Sequence, residues 1–123
     1  MASDLPPFEL GYPRTPLREE LVAAVLKGKK TATAGLPEPG ESLPEPGTRF
    51  ALQSYDDEPV AIVEITEARL VSAAEIDVQF ARDEGEGFES VEDWRLAHER
   101  FFEREIRPET KIVAIRFRLA ERL

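Results

Sequence analysis

Cysteine is absent from this 123-residue chain, and histidine and tryptophan occur once each. Without cysteine there is no disulfide, no thiol nucleophile and no thiolate metal site, so a cytoplasmic location is the expectation. A single histidine excludes a two-histidine metal centre. It also leaves a serine-hydrolase triad poorly supported, with His98 its only available base and no G-x-S-x-G turn in the sequence. Positive charge is scarce: 16 Lys and Arg stand against 25 Asp and Glu, for a net charge of −9. Affinity for long nucleic acids comes mainly from lysine and arginine displacing phosphate counterions, so DNA is disfavoured as a partner. No stretch approaches the roughly 18 apolar residues that span a bilayer. The opening "MASDLPPFELGYPR" has neither the basic nor the apolar region of a signal peptide, so no membrane partner is expected. A glycine-rich phosphate loop is also missing, and no cofactor is expected.

What remains is a globular composition, 41% apolar with seven Phe, of a length that suits one domain over 1–123. Thr15 and Pro16 form a helix start, and Leu17, Leu21, Val22, Val25 and Leu26 follow at helical spacing. Gly28 fits the position just past the helix end, where Lys27, Lys29 and Lys30 would meet the carbonyl end of its dipole. "TATAG" reads as a short strand. A Pro/Gly-rich loop over 35–47 then carries "LPEPG" twice, too short a repeat for a solenoid and long enough to be a lid or an interaction segment.

Residues 48–55, the turn "DDEP" and residues 60–71 predict a β-hairpin. Ser72 and Glu75 make a capping-box pattern opening a second helix that carries Ile76 and Phe80 inward and stops near Gly85. Ser90 and Asp93 open a third over 91–105, with Val91, Trp94, His98 or Ala97, Phe101 and Phe102 on one side. "KIVAIRFRL" alternates, setting Val113, Ile115, Phe117 and Leu119 against Arg116 and Arg118. This element order repeats no βαβ unit. It predicts an α+β fold, a small mixed or antiparallel sheet curled into a barrel and flanked by helices.

Two stretches carry chemistry. The first is G-x-K-x-x-T-x-G, from Gly28 through Lys30 and Thr33 to Gly35; the second is "ARDEGEGFESVEDWRLAHERFF" over 81–102. Together and in this order they resemble the ASCH domain family, whose signature G-x-K-x-x-T-x-R matches at Gly28, Lys30 and Thr33 and departs at Gly35. The "EGEG" turn and the W-x-x-x-H-x-x-F-F helix are similar to small stand-alone bacterial members. The resemblance implies a PUA-like barrel and a nucleoside or short RNA as partner. It further implies either hydrolysis of the amide of an N-acylated nucleoside, or a non-catalytic RNA-binding, regulatory or ribonuclease role. The catalytic residues it implies are Lys30, Thr33 and Glu84: the lysine as base, the threonine or a water as nucleophile, the glutamate as acid or orienting group. Gly28, Thr31, Glu86, Trp94, His98 and Arg116 complete the expected ligand-binding set, with no metal. Lys30 and Thr33 can converge only if Lys30 belongs to the turn and Thr33 to the strand, since residues three apart in a strand point to opposite faces. Trp94 and His98, four apart, suit a packed helix face as well as a stacking platform.

Overall fold

A computed structural model describes residues 4–10 and 15–123; parts of the amino-terminal stretch read above for a targeting signal lie outside the described residues. Helix α1 spans Pro16–Leu26 with Thr15 as N-cap. Its apolar stripe, Leu21, Val22 and Val25, is buried as its spacing predicts. Gly28 has φ +77, where a side chain would be strained, and the amides of Lys29 and Lys30 both turn back to the Ala24 carbonyl.

Four strands follow: β1 (Ala32–Gly35), β2 (Arg49–Gln53), β3 (Pro59–Ser72) and β4 (Lys111–Arg122). They pair antiparallel in the order β1-β4-β3-β2. The long strands β3 and β4 form the centre, and irregularities in register after Ile62 and Ile65 bend the pair. The hairpin closes through Asp57, a non-glycine residue at φ 64, and buried Arg18 of α1 bonds its side chain at 2.5 Å.

Among the described residues the sheet stays open, which corrects the expected closed barrel. Strands β1 and β2 are four and five residues long and lie at opposite ends of the order. Instead of meeting β1, β2 takes an isolated parallel bridge from Pro7 to Ala51. All pairs of named strands are antiparallel, so "mixed" describes that bridge alone.

Alternation along β4 builds a core on each face. Phe117 joins Val63, Ile65, Leu52 and the α1 stripe, with Ile115 and Leu119 packed against them. Ile112 and Ala114 face the other way, into a cluster with Ala32, Val71, Phe80 and Trp94. The second cluster is roofed by α2 (Val78–Asp83) and α3 (Val91–Phe102).

Here two helix expectations change. The Ser72–Glu75 capping box forms, but it caps a single 3-10 turn over Ala73–Glu75. Asp77 then accepts the Phe80 amide at 2.8 Å and starts α2 afresh, because a second competent cap lies only two residues past the first turn. Helix α3 ends at Phe102 rather than at 105, since Glu103 is left-handed at φ 56. Trp94 and His98 are its buried pair, whereas Phe101 and Val91 are exposed.

Candidate functional site

The site forms where the turn after α1 meets the turn after α2. Asp83 O accepts the Thr31 amide at 2.8 Å. Gly85, at φ +69, presses against the backbone of Lys29 and Lys30 so closely that a Cβ there would lie 2.5 Å from the Lys29 oxygen. Only glycine allows this approach, and it delivers Glu84 and Glu86 to Lys30.

Lys30 is 2% exposed and Glu84 1%. The Lys30 Nζ donates to Ala32 O at 2.9 Å, to Glu84 O at 3.2 Å and to Glu86 Oε2 at 3.3 Å. Glu84 Oε1 lies 3.7 Å from the same nitrogen. Three acceptors therefore surround the three hydrogens of an ammonium. Glu84 is fixed from its other side: Trp94 Nε1 donates to its Oε2, and His98 Nε2 stands 3.3 Å from Oε1.

The His98 ring stacks on Trp94 with centroids 4.4 Å apart, and its Nδ1 meets Trp94 O at 2.8 Å. A carbonyl at one ring nitrogen and a carboxylate at the other are both acceptors, an arrangement that suits the doubly protonated ring. Burial works against the charge, but the hydrogen bond and charge of Glu84, the Trp94 carbonyl and the charge of Glu86 outweigh it, so the His98 pKa is raised above 6.5.

Lys30, Glu84, Glu86, His98 and Thr33 all line one cavity of about 240 Å³, whose apolar walls come from Leu17 and Leu21 of α1 and from Phe88, Ala97 and Phe101. Lys30 precedes β1 and Thr33 lies within it, which is the geometry that lets residues three apart face one space.

The remaining expected ligand contacts do not line this cavity. Gly28 ends the helix. Thr31 is held by its backbone, its amide on Asp83 O and its carbonyl accepting from Phe117 at 3.1 Å. Trp94 is core, 1% exposed, and reaches the site only indirectly, through Glu84 and the stacked His98 ring. Arg116 sits on another surface, paired with Asp83 at 2.7 Å and over the Phe80 ring at 5.2 Å; as the partner of Ala32 across the ladder it shares the face of Ala32, not of Thr33. Residues that sequence reasoning missed are the apolar wall, Phe88 above all, and Gly85, whose place inside "EGEG" was the available signal. Among the described residues, no group of three or more Asp, Glu or His is placed to hold a metal ion, and no helix is long and apolar enough to cross a membrane.

An open antiparallel sheet with helices on both faces, and a buried lysine–glutamate pair at the edge strand beside a small polar-ended cavity, define an α+β protein. The ASCH domain model matches residues 11–121, and the chain belongs to that family. It is similar in structure to an ASCH domain from Lactobacillus crispatus JV V101 (27% identity, TM-score 0.73, covering 83% of this chain and 71% of that one). A protein from Enterococcus faecalis V583 (23%, TM-score 0.75, 86% and 70%) and a point mutant of an ASCH protein from Zymomonas mobilis (19%, TM-score 0.53, 80% and 63%) share the fold. No curated protein matches the chain.

Proposed function

We propose that the protein binds a small nucleoside in the Lys30 cavity and hydrolyses an N-acyl amide on it. One observation carries this reading: a buried Lys30–Glu84 pair stands on the wall of a cavity that Thr33 also lines. Burying two charges is costly even when they are paired, so their placement at an accessible wall points to use rather than to stability.

The hydrogen bonds support a division of labour different from the expected one. With its hydrogens met by three acceptors, Lys30 serves as donor rather than base. Its longest bond, to Glu86, is the one a ligand carbonyl can replace, since Glu86 is the partly exposed partner at 28%. The ammonium then stabilises the oxyanion that forms on that carbonyl. The displaced Glu86 carboxylate takes the hydroxyl proton as Thr33 Oγ1 attacks. The C–N bond breaks and the amine leaves with that proton. That amine is the free nucleoside; a water then hydrolyses the threonyl ester, giving a carboxylic acid and restoring the Thr33 hydroxyl. Glu84, held by Trp94 and His98, orients Lys30.

Charge supports a small ligand over a tracked polyanion. Besides the net −9, Arg49, Arg69, Arg107, Arg116 and Arg118 each lie within 4 Å of a carboxylate. RNA binding without catalysis is the family-level alternative. The test is incubation with N-acetylcytidine, read by chromatography, beside Thr33→Val, which keeps strand shape and loses the hydroxyl. The expected result is turnover by wild type and a fall of about 10² or more in kcat for the variant. No turnover by wild type, with salt-sensitive RNA binding instead, overturns the hydrolase reading.

A further inference from the structure

The Pro/Gly-rich loop has so far no part in this chemistry, yet it walls a second space. A groove of about 460 Å³ runs under it, floored by Phe50, Ile65 and Ile115 and rimmed by Glu38 and Glu41 of the loop. Thr33, Ala34 and Glu9 line this groove and the Lys30 cavity alike, so the two spaces meet at the free edge of β1.

That edge has a defined polarity. The Phe117 amide donates to Thr31 O, which makes 31 and 117 a hydrogen-bonded pair. In an antiparallel ladder such pairs alternate with non-bonded ones. Ala32 opposite Arg116 and Ala34 opposite Ala114 are then the non-bonded positions, and their backbone groups point away from β4. The bond from Lys30 Nζ to Ala32 O shows this alternation directly. The next group along the same edge is the Ala34 N–H, so the Lys30 ammonium and that amide are neighbouring donors.

Resting on the hydrolase reading above, we infer that the ligand is a two-part amide. Its nucleoside sits in the Lys30 cavity, its carbonyl oxygen meets the Ala34 N–H together with Lys30, and an apolar, uncharged or cationic acyl arm fills the groove beneath the loop. Two donors converging on one carbonyl oxygen form an oxyanion site. The groove's apolar floor takes hydrocarbon. Its acidic rim, with no lysine or arginine among the described residues lining it, repels a carboxylated arm.

The experiment compares kcat/KM for cytidine carrying N-acetyl, N-phenylacetyl and N-succinyl groups. Wild type, the Glu38→Lys/Glu41→Lys variant and Glu109→Lys are tested side by side, the last an exposed charge reversal in the turn before β4 that lines neither space. The wild type should prefer phenylacetyl over succinyl by about tenfold or more. The double reversal should narrow that ratio by about tenfold, and Glu109→Lys should leave it in place. Ala34→Pro removes the edge-facing N–H without a ladder bond and is tolerated at such edges; it should lower kcat by about 10²-fold with the urea midpoint retained. Turnover of all three substrates with an unmoved ratio overturns this inference and leaves the hydrolase reading standing. Turnover of none overturns the hydrolase reading, and this inference falls with it. Should Ala34→Pro fail to fold, the charge-reversal ratio decides.

Discussion

Replacing Lys30 by methionine keeps the length of the side chain and deletes its charge. Three acceptors then lose their donor: the carbonyls of Ala32 and Glu84, and Glu86 Oε2. Glu84, 1% exposed, also loses a cation at 3.7 Å, an attraction of about 4.5 kcal/mol at an effective dielectric of 20. Removing one member of a buried pair typically costs about 3–5 kcal/mol, and Lys30→Met should fall in that range. Glu84→Gln should cost less, about 1–3 kcal/mol, because Gln keeps an acceptor for Trp94 and Lys30 keeps Glu86. In the double variant no fully buried carboxylate is left stranded, since Glu86 is partly exposed, so its loss should be smaller than the sum by about 1–3 kcal/mol. Urea unfolding followed by the fluorescence of Trp94, the sole tryptophan, measures this within the site itself. With slopes near 2 kcal/mol/M, Lys30→Met should lower the midpoint by about 2 M. A domain with a reserve of about 5–15 kcal/mol remains folded after such a loss. A cost below about 1 kcal/mol, or additivity within about 0.5 kcal/mol, would refute the account of a mutually dependent buried pair.

Three further outcomes follow from the same geometry. Gly85→Ala combines a positive φ with a 2.5 Å approach to the Lys29 oxygen, so it should cost more than about 2 kcal/mol, whereas Gly87→Ala, at φ +89 with open space around it, should cost only the local strain of about 1–2 kcal/mol; equal urea midpoints would contradict the clasp. Trp94→Phe strips the Nε1 donor from Glu84 and should cost about 1–3 kcal/mol for the orphaned acceptor, read by thermal unfolding. His98 has a raised pKa in the fold, so its contribution is complete below about 6.5, the unfolded value. That contribution drains away as pH rises through the folded pKa. Stability measured from pH 6 to 9 should decline, and His98→Gln should flatten the decline; an unchanged slope would place the proton elsewhere.

Much of the fold was legible because it rests on local periodicity. The α1 stripe, the hairpin around Asp57 and the alternation of β4 all follow from spacing within one element. Where two local signals competed, spacing misled. Ser72–Glu75 and Asp77 each cap a turn, and the sequence pattern does not say that the chain uses both. Helix α3 shows a different limit, since Phe101 lies on the predicted face yet stands exposed beside the cavity. Closure of the sheet was illegible for a third reason: it depends on whether β1 and β2 find each other, and Pro7 reaches Ala51 instead.

The site divides along the same line between local and distant causes. Lys27, Lys29 and Lys30 are alike as cations at a helix end, and the dipole argument serves all three equally. The structure separates them: Lys27 and Lys29 are exposed and Lys30 is buried. The difference is made by a turn 54 residues away that supplies a carbonyl and two carboxylates. That turn approaches only because position 85 has no side chain. A lysine enters a protein interior when acceptors await its hydrogens, and the acceptors here belong to Ala32, Glu84 and Glu86 together. The spacing Gly28–Lys30–Thr33 therefore sets which lysine can turn inward, and "EGEG" sets whether anything is there to receive it. Neither stretch specifies the buried charge without the other, which is why the pair of motifs in order carried the site while the lysine–threonine pattern alone did not.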